Sequence, residues 1–211
     1  MRLRDGRILT ALAVIGLCGF AVSRGWNIVH FSIATAGVAS PQHRAHAVRP
    51  WIGVTGLAGA ALEASLTDAV DPTDSDEIRK RGDIFAAILS VRPMSSMNWL
   101  SLASMRLMVG QPTDKVLEAL ALSSLTGANE GHVMSQRGIF GLWQWGILPS
   151  HARKRAAADL AGAMRERAIS EQERTAAQRI LIDKPADIRR EIAELLRAEG
   201  LSVNDLGRIG L

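Results

Sequence analysis

The sequence predicts an all-α fold in which an N-terminal hydrophobic helix precedes a stacked array of helix pairs. Three observations carry this. Alanine, leucine, arginine and glutamate are prominent, and all are good helix formers. Runs rich in Val, Ile, Thr and Tyr, the mark of strands, are almost absent, and there is no tyrosine. Apolar residues recur at helical spacing between proline and glycine stops over most of residues 73–211.

The N-terminus is the strongest single signal. Arg2, Arg4 and Arg7 make a short basic segment, and Ile8 to Val22 are then fifteen uncharged, mostly apolar residues. A basic segment followed by such an apolar run reads as a secretory signal. Fifteen residues are short for a spanning helix, but Arg24 can snorkel and Trp26 can sit at the interface, lengthening the span. A retained signal anchor is the leading expectation. A signal peptide cleaved at Ala21-Val22-Ser23 and a buried core helix are the other readings. A lipoprotein is excluded, because Leu17 precedes Cys18 where a small residue belongs. The excess of arginine before the apolar run places the N-terminus in the cytoplasm and the body in the periplasm.

The 211 residues suffice for one ordinary domain plus such a segment, and 47% hydrophobic content suffices for a core. The formal charge is +4, but without Arg2, Arg4, Arg7 and Asp5 the body holds 22 basic and 20 acidic residues. Nucleic-acid binding needs a basic stripe that neutralises phosphates, so no nucleic acid is expected as a partner. Cys18 is the only cysteine, which excludes an internal disulfide.

Residues 1–25 are read as signal anchor or signal peptide, 26–72 as linker and packing helices, and 73–211 as the helical domain. Trp26 to Ala39 is weakly amphipathic, with Ser40-Pro41 and Arg49-Pro50 as punctuation. Trp51 to Ala69 is expected to be helical, with Val54, Leu57, Ala61, Leu62 and Ser65 on one side. Asp71-Pro72-Thr73-Asp74 is a break. Asp74, Asp76 and Glu77 load the first turn of the next helix, whose apolar face is Ile78, Phe85, Ile88 and Leu89 and which ends at Arg92-Pro93. Met97 to Val109 is apolar nearly all round and so is expected to be central, with Gly110 and Pro112 as its stop. Thr113 is the expected cap of a helix closing at Gly127. Asn129 is the expected cap of one running to about Trp145. Ser150 to Ala168 follows. Ser170 to Glu173 is a capping box, and Pro185 to Glu199 turns Ile188, Ile192, Leu195 and Leu196 inward. Ser202 to Leu206 adds a turn.

Leu89 to Gly110 aligns loosely with Leu125 to Gly146, a shift of 36 residues. That is close to the tetratricopeptide period of about 34 residues. The helical domain is therefore expected to be tetratricopeptide-like, with two degenerate repeats capped by flanking helices.

Several constellations bear on chemistry. His43 and His46 are spaced for two ligands on one helix face, but no third ligand is near, and exposed loop histidines are expected. No metal site and no cofactor are expected. Ser135 to Gln144 together with Pro149 resembles the Ser-x-x-Gly-x-x-Gly-Leu-Met-Gln segment of lytic transglycosylases, which cut peptidoglycan. The position of that family's catalytic glutamate is occupied here by Thr126, and Glu130 lies only five residues before Ser135. The departure removes the general acid that such an enzyme needs. Gly138 and Gly141 would instead be explained by close approach of a neighbouring helix. Trp99, Trp143 and Trp145 are expected first to pack in the core; with Arg106 and Arg137 they are alternatively candidate partner-binding residues, because Trp and Arg dominate hot spots. The cluster Arg153, Lys154 and Arg155 is a candidate contact for an anionic surface.

Arg92-Pro93, Asn98-Trp99-Leu100, Leu102-Ala103, Gly127 to Glu130, Arg137-Gly138, Trp145 and Leu148-Pro149 resemble membrane-anchored, tetratricopeptide-like helical proteins of alphaproteobacteria. The resemblance covers Asp74 to Leu160. It implies a membrane-anchored helical protein, in some relatives alongside surface-polysaccharide machinery, and no particular activity. Three functions follow in order: a protein-binding module on the periplasmic face, an accessory factor in envelope or polysaccharide biogenesis, and a peptidoglycan lytic enzyme.

Overall fold

The computed structural model describes residues 2–36, 41–66, 71 and 73–211. These residues form eleven α-helices and no strand. The chain divides into two compact units, Met1–Val70 and Asp71–Leu211.

In the first unit α1 spans Arg2–Thr35 without a break. The helix runs through Ser23-Arg24-Gly25, because a lone glycine weakens a helix by only about 1 kcal/mol and no proline is present to stop it. Leu12–Thr35 is a stretch of 24 residues long and apolar enough to cross a membrane. Its large apolar side chains are exposed along the whole length, from Leu12 to Ile33.

α2, Pro41–Val48, begins on a proline, which is tolerated in the first helical turn where its missing N–H has no partner to lose. His43 and His46 therefore lie on an exposed helix and not in a loop. A single 3-10 turn, Arg49–Trp51, leads into α3, Ala58–Ser65. The helix expected from Trp51 is shorter than the sequence suggests, since Gly56 adopts φ +86°, a left-handed conformation that ends regular helix. Residues 67–69 of that expectation lie outside the described residues.

The second unit holds α4 (Ser75–Val91), α5 (Ser96–Met108), α6 (Thr113–Thr126), α7 (Gly131–Trp143), α8 (Ser150–Arg165), α9 (Glu171–Ile182), α10 (Ala186–Ala198) and α11 (Val203–Gly207). Local chemistry sets most boundaries. The Asp74 carboxylate accepts from the N–H groups of Asp76 and Glu77 at 2.9 and 3.0 Å, satisfying orphan donors at the start of α4. Ser170 with Glu173 and Ser202 with Asp205 form reciprocal capping boxes before α9 and α11.

Two expected caps do not form. Thr113 is the first residue of α6, because Pro112 takes the cap position and its carbonyl accepts from Lys115 N and Val116 N. Asn129 lies in a turn closed by Glu130 N on Gly127 O, and Glu130 precedes α7 instead. α7 stops at Trp143, so Trp145 sits in the following turn and not on a helix.

α5 packs between α4 and α6, as a helix apolar nearly all round requires. α7 packs chiefly on α8 and also on α9, while α10 packs on α8. The main core forms around this second group, from Trp145, Leu160, Leu181, Ile192, Leu196 and Leu206 among others. The glycines of α7 are explained by the α7–α8 crossing. A Cβ at Gly138 would stand 2.7 Å from Leu160 Cβ and 2.9 Å from Leu160 Cα, and one at Gly141 would strike Ala156 Cβ.

Two outcomes follow. Gly138→Ala should destabilise the protein by about 1–3 kcal/mol in urea unfolding, because overpacking against the α8 backbone exceeds the helix-propensity gain of about 1 kcal/mol. Gly207→Ala, with open space around it, should be neutral or slightly stabilising. The Ser202 hydroxyl and N–H hold the Asp205 carboxyl below its ordinary value of 3.8. A group depressed on folding stabilises above its unfolded pKa and loses that contribution as pH falls through the folded pKa. Carboxyl NMR titration should therefore show Asp205 rising toward 3.8 in Ser202→Ala.

Candidate functional site

The site is built on a buried ion pair. Arg137 stands in the middle of α7 and is 1% exposed, while Asp159, in the middle of α8, is 2% exposed. Arg137 Nε donates to Asp159 Oδ2 at 2.8 Å and Nη2 to Oδ1 at 3.0 Å, a bidentate pair. Arg137 Nη1 donates to the carbonyls of Ser123 and Gly127, both at 3.1 Å. Those carbonyls lie at the C-terminal end of α6, where the helix dipole favours a cation. Four of the five guanidinium donors are thus used, and one side chain joins α6, α7 and α8.

The end of α6 is fixed from a second side. Ser123 Oγ donates to Ser96 O at 2.8 Å, and Ser96 Oγ donates to Glu130 Oε2 at 2.6 Å. The starts of α5 and α7 are therefore tied to the same point.

Above this pair lies a groove of about 230 Å³ between α6 and α8. Leu117, Leu120, Ala121 and Leu125 of α6 form one wall, and Ala152 and Ala156 of α8 the other. Leu125 is 81% exposed. Arg137 and Asp159 form the floor, and His151 and Arg155 stand at the polar edge. Arg155 Nε lies 3.4 Å from Asp159 Oδ1. Asp159 is already matched by Arg137, so the groove carries one cation in excess.

The residues singled out by sequence do not form one patch. Arg137 and Trp145 are in the interior, Trp145 at 0% exposure, and so neither offers a surface for a partner. Trp145 Nε1 donates to Glu191 Oε2 at 3.1 Å, which joins the α7–α8 turn to α10. Arg106 is tied down too, its Nη1 donating to Lys115 O at 2.7 Å across the α5–α6 junction. Trp99 is half-buried and donates to Pro93 O at 2.8 Å. Trp143 is exposed at 63%, and its carbonyl accepts from Lys184 Nζ at 3.1 Å.

The basic cluster is likewise divided by its partners. Arg153 Nε donates to the carbonyls of Trp145 and Leu148, Nη1 pairs with Glu191, and the guanidinium lies over the Trp145 ring. Arg153, half-buried, therefore braces the α7–α8 turn. Arg155 faces the groove, and Lys154 is exposed.

In the segment that resembles lytic transglycosylases, Ser135 is wholly buried and its hydroxyl has no hydrogen-bond partner. Its glycines serve the helix crossing. Glu130 lines a cleft of about 370 Å³ with Arg92 to Met97, and Ser96 occupies one of its oxygens. Among the described residues no group of three or more His, Cys, Asp or Glu side chains is placed to hold a metal ion.

Sequence reasoning missed Asp159 and the α6–α8 groove. A signal was present: Arg137 and Asp159 are isolated charges in otherwise apolar or alanine-rich helical stretches, and charges so placed are seldom fully buried unless paired. No protein-family model, curated protein or solved structure matches this chain.

Removing one partner of the pair should cost about 3–5 kcal/mol, since the other charge is left buried and alone. Arg137→Met and Asp159→Leu should each unfold at much lower urea concentration than wild type. The double variant should recover part of the loss. Arg137→Lys should behave like a loss variant, because an ammonium cannot span the carboxylate and both carbonyls.

Proposed function

We propose that this chain is a membrane-anchored, non-enzymatic binding module of the bacterial envelope. In this reading α1 crosses the inner membrane, with its arginine-rich start in the cytoplasm, and residues 71–211 act in the periplasm. The length and apolar character of Leu12–Thr35 support the anchor. The excess of Arg2, Arg4 and Arg7 over Asp5 before the apolar run supports the orientation. α5 and α7 are equal in length at 13 residues, which supports treating them as related units of a degenerate, tetratricopeptide-like array.

The observation that carries the binding function is the α6–α8 groove. A cleft walled by Leu117, Leu120, Leu125 and two alanines suits the apolar face of a partner helix. The excess cation at its edge, Arg155, selects a helix that brings a carboxylate to that point. The occupant is thus an amphipathic helix with an acidic residue next to its apolar stripe. The walls are held by the buried pair beneath them, so the groove is formed before binding, which lowers the ordering cost of association.

The test uses the full chain with a C-terminal affinity tag, expressed in a related bacterium and extracted from washed membranes in mild detergent. A companion should co-purify with wild type and be lost at least several-fold from Leu125→Asp and from Ala121→Trp. Both substitutions fall on exposed groove positions and spare the core. A companion retained equally by both variants would contradict the groove as the binding site, and recovery of an uncut chain from the soluble fraction would contradict the anchor.

A further inference from the structure

Residues 50–66 carry a property that the anchor and the groove do not use. They are uncharged apart from Glu63 and are composed mostly of Gly, Ala, Leu, Ile, Val and Trp. They form the tip and return arm of a hairpin in which α2 and α3 pack on each other. The tip lies along α1. Trp51 meets Phe31 edge-on, ring centroids 5.8 Å apart. Four residues later, Thr55 O accepts from Arg24 Nη2 at 3.2 Å. The tip therefore runs from the level of Phe31 to that of Arg24, which is about 10 Å along the α1 axis toward its N-terminal end.

Three features fit this tip to lipid. Its turn is non-helical, but the N–H groups of Ile52, Val54, Leu57 and Ala58 all find carbonyls within residues 49–54. These bonds reduce the number of backbone donors that irregular structure would bring unpaired to membrane depth. Arg24 is the one Lys, Arg, Asp or Glu between Leu12 and Thr35. Its guanidinium is met by the Thr55 carbonyl and lies 5.3 Å from the Phe20 ring centroid. A cation within a span is otherwise costly, and a backbone carbonyl is one of the partners that makes it tolerable. The outward apolar side chains continue from α1 (Trp26, Ile28, Val29) onto the tip at Ile52, all of them exposed. α2, in contrast, carries His43, Arg44 and His46, with Arg49 following it, which suits the headgroup level of an anionic leaflet.

We infer that the α2–α3 hairpin is re-entrant: its tip, residues 51–57, enters the bilayer beside α1, and α2 lies among anionic headgroups. The membrane contact is then a two-part surface, and Arg24 serves to hold the tip against the span. The inference rests on α1 crossing the membrane.

The experiment places single cysteines in the full chain with Cys18→Ser, reconstituted in nanodiscs of phosphatidylethanolamine and phosphatidylglycerol. Spin labels at Ile52→Cys, Ile15→Cys and Lys115→Cys are compared by their relaxation with oxygen and with a water-soluble nickel chelate. The Ile52 label should resemble the Ile15 label, with an oxygen-to-nickel ratio several-fold above that at Lys115. If Ile15 is in lipid while Ile52 matches Lys115, the re-entrant hairpin is wrong and the anchor stands. If Ile15 also matches Lys115, the anchor fails and the hairpin with it.

Discussion

The second unit depends on one ion pair. Arg137 and Asp159 are removed from water, at a desolvation cost of several kcal/mol for each ion before any attraction is counted. The arrangement is tolerated because almost nothing is left unmatched: two parallel N–H···O bonds to the carboxylate and two more to carbonyls that end α6. A planar guanidinium offers this fork of donors, and no other side chain does. The pair therefore fixes the relation of three helices at one point. Without Arg137, the α6 terminus would lose its tie to α7 and α8, and buried Asp159 would keep only the half-exposed Arg155 beside it.

The packing around the pair follows from the same constraint. α7 and α8 must come close for the two short reaches to meet, and the glycines at 138 and 141 let backbones approach where any Cβ would collide. The Ser96–Ser123–Glu130 chain of hydrogen bonds brings α5 to the same junction. At the far end of the α7–α8 turn, Arg153 repeats the device on a more exposed scale, joining two turn carbonyls, the Trp145 ring and Glu191 of α10. Both arginines act on backbone carbonyls at helix ends and turns. The open side of the first junction is the α6–α8 groove, so the element that holds the helices together also sets the floor of the surface proposed to bind.

The sequence made local features legible and left distant ones hidden. The capping box at Ser170 and the acidic first turn at Asp76 and Glu77 depend on residues three apart or fewer and both appear as read, while Asp74 stands one place earlier, as the cap. The caps at Thr113 and Asn129 were misplaced, because a neighbouring proline and an extra turn residue took the positions that composition alone assigned. The glycines of α7 were legible as a close helix approach. The partner of Arg137 was not, since 22 residues separate it from Asp159 and no spacing rule connects them. The tryptophans read first as core and second as a partner surface, and composition alone does not say which of them the core takes. The fold buries Trp145 and Arg137 and commits half-buried Arg153 to the α7–α8 turn, where tertiary hydrogen bonding overrides the preference of composition.

Native-state hydrogen exchange by NMR addresses the central claim most directly. If the Arg137–Asp159 pair joins α6, α7 and α8, then the amide of Gly127, which closes the last turn of α6 on Ser123 O, should share the high protection of α7 and α8 amides. All three should open together as denaturant is added. Early, independent exchange of the α6 terminus, with α7 and α8 still closed, would contradict the account.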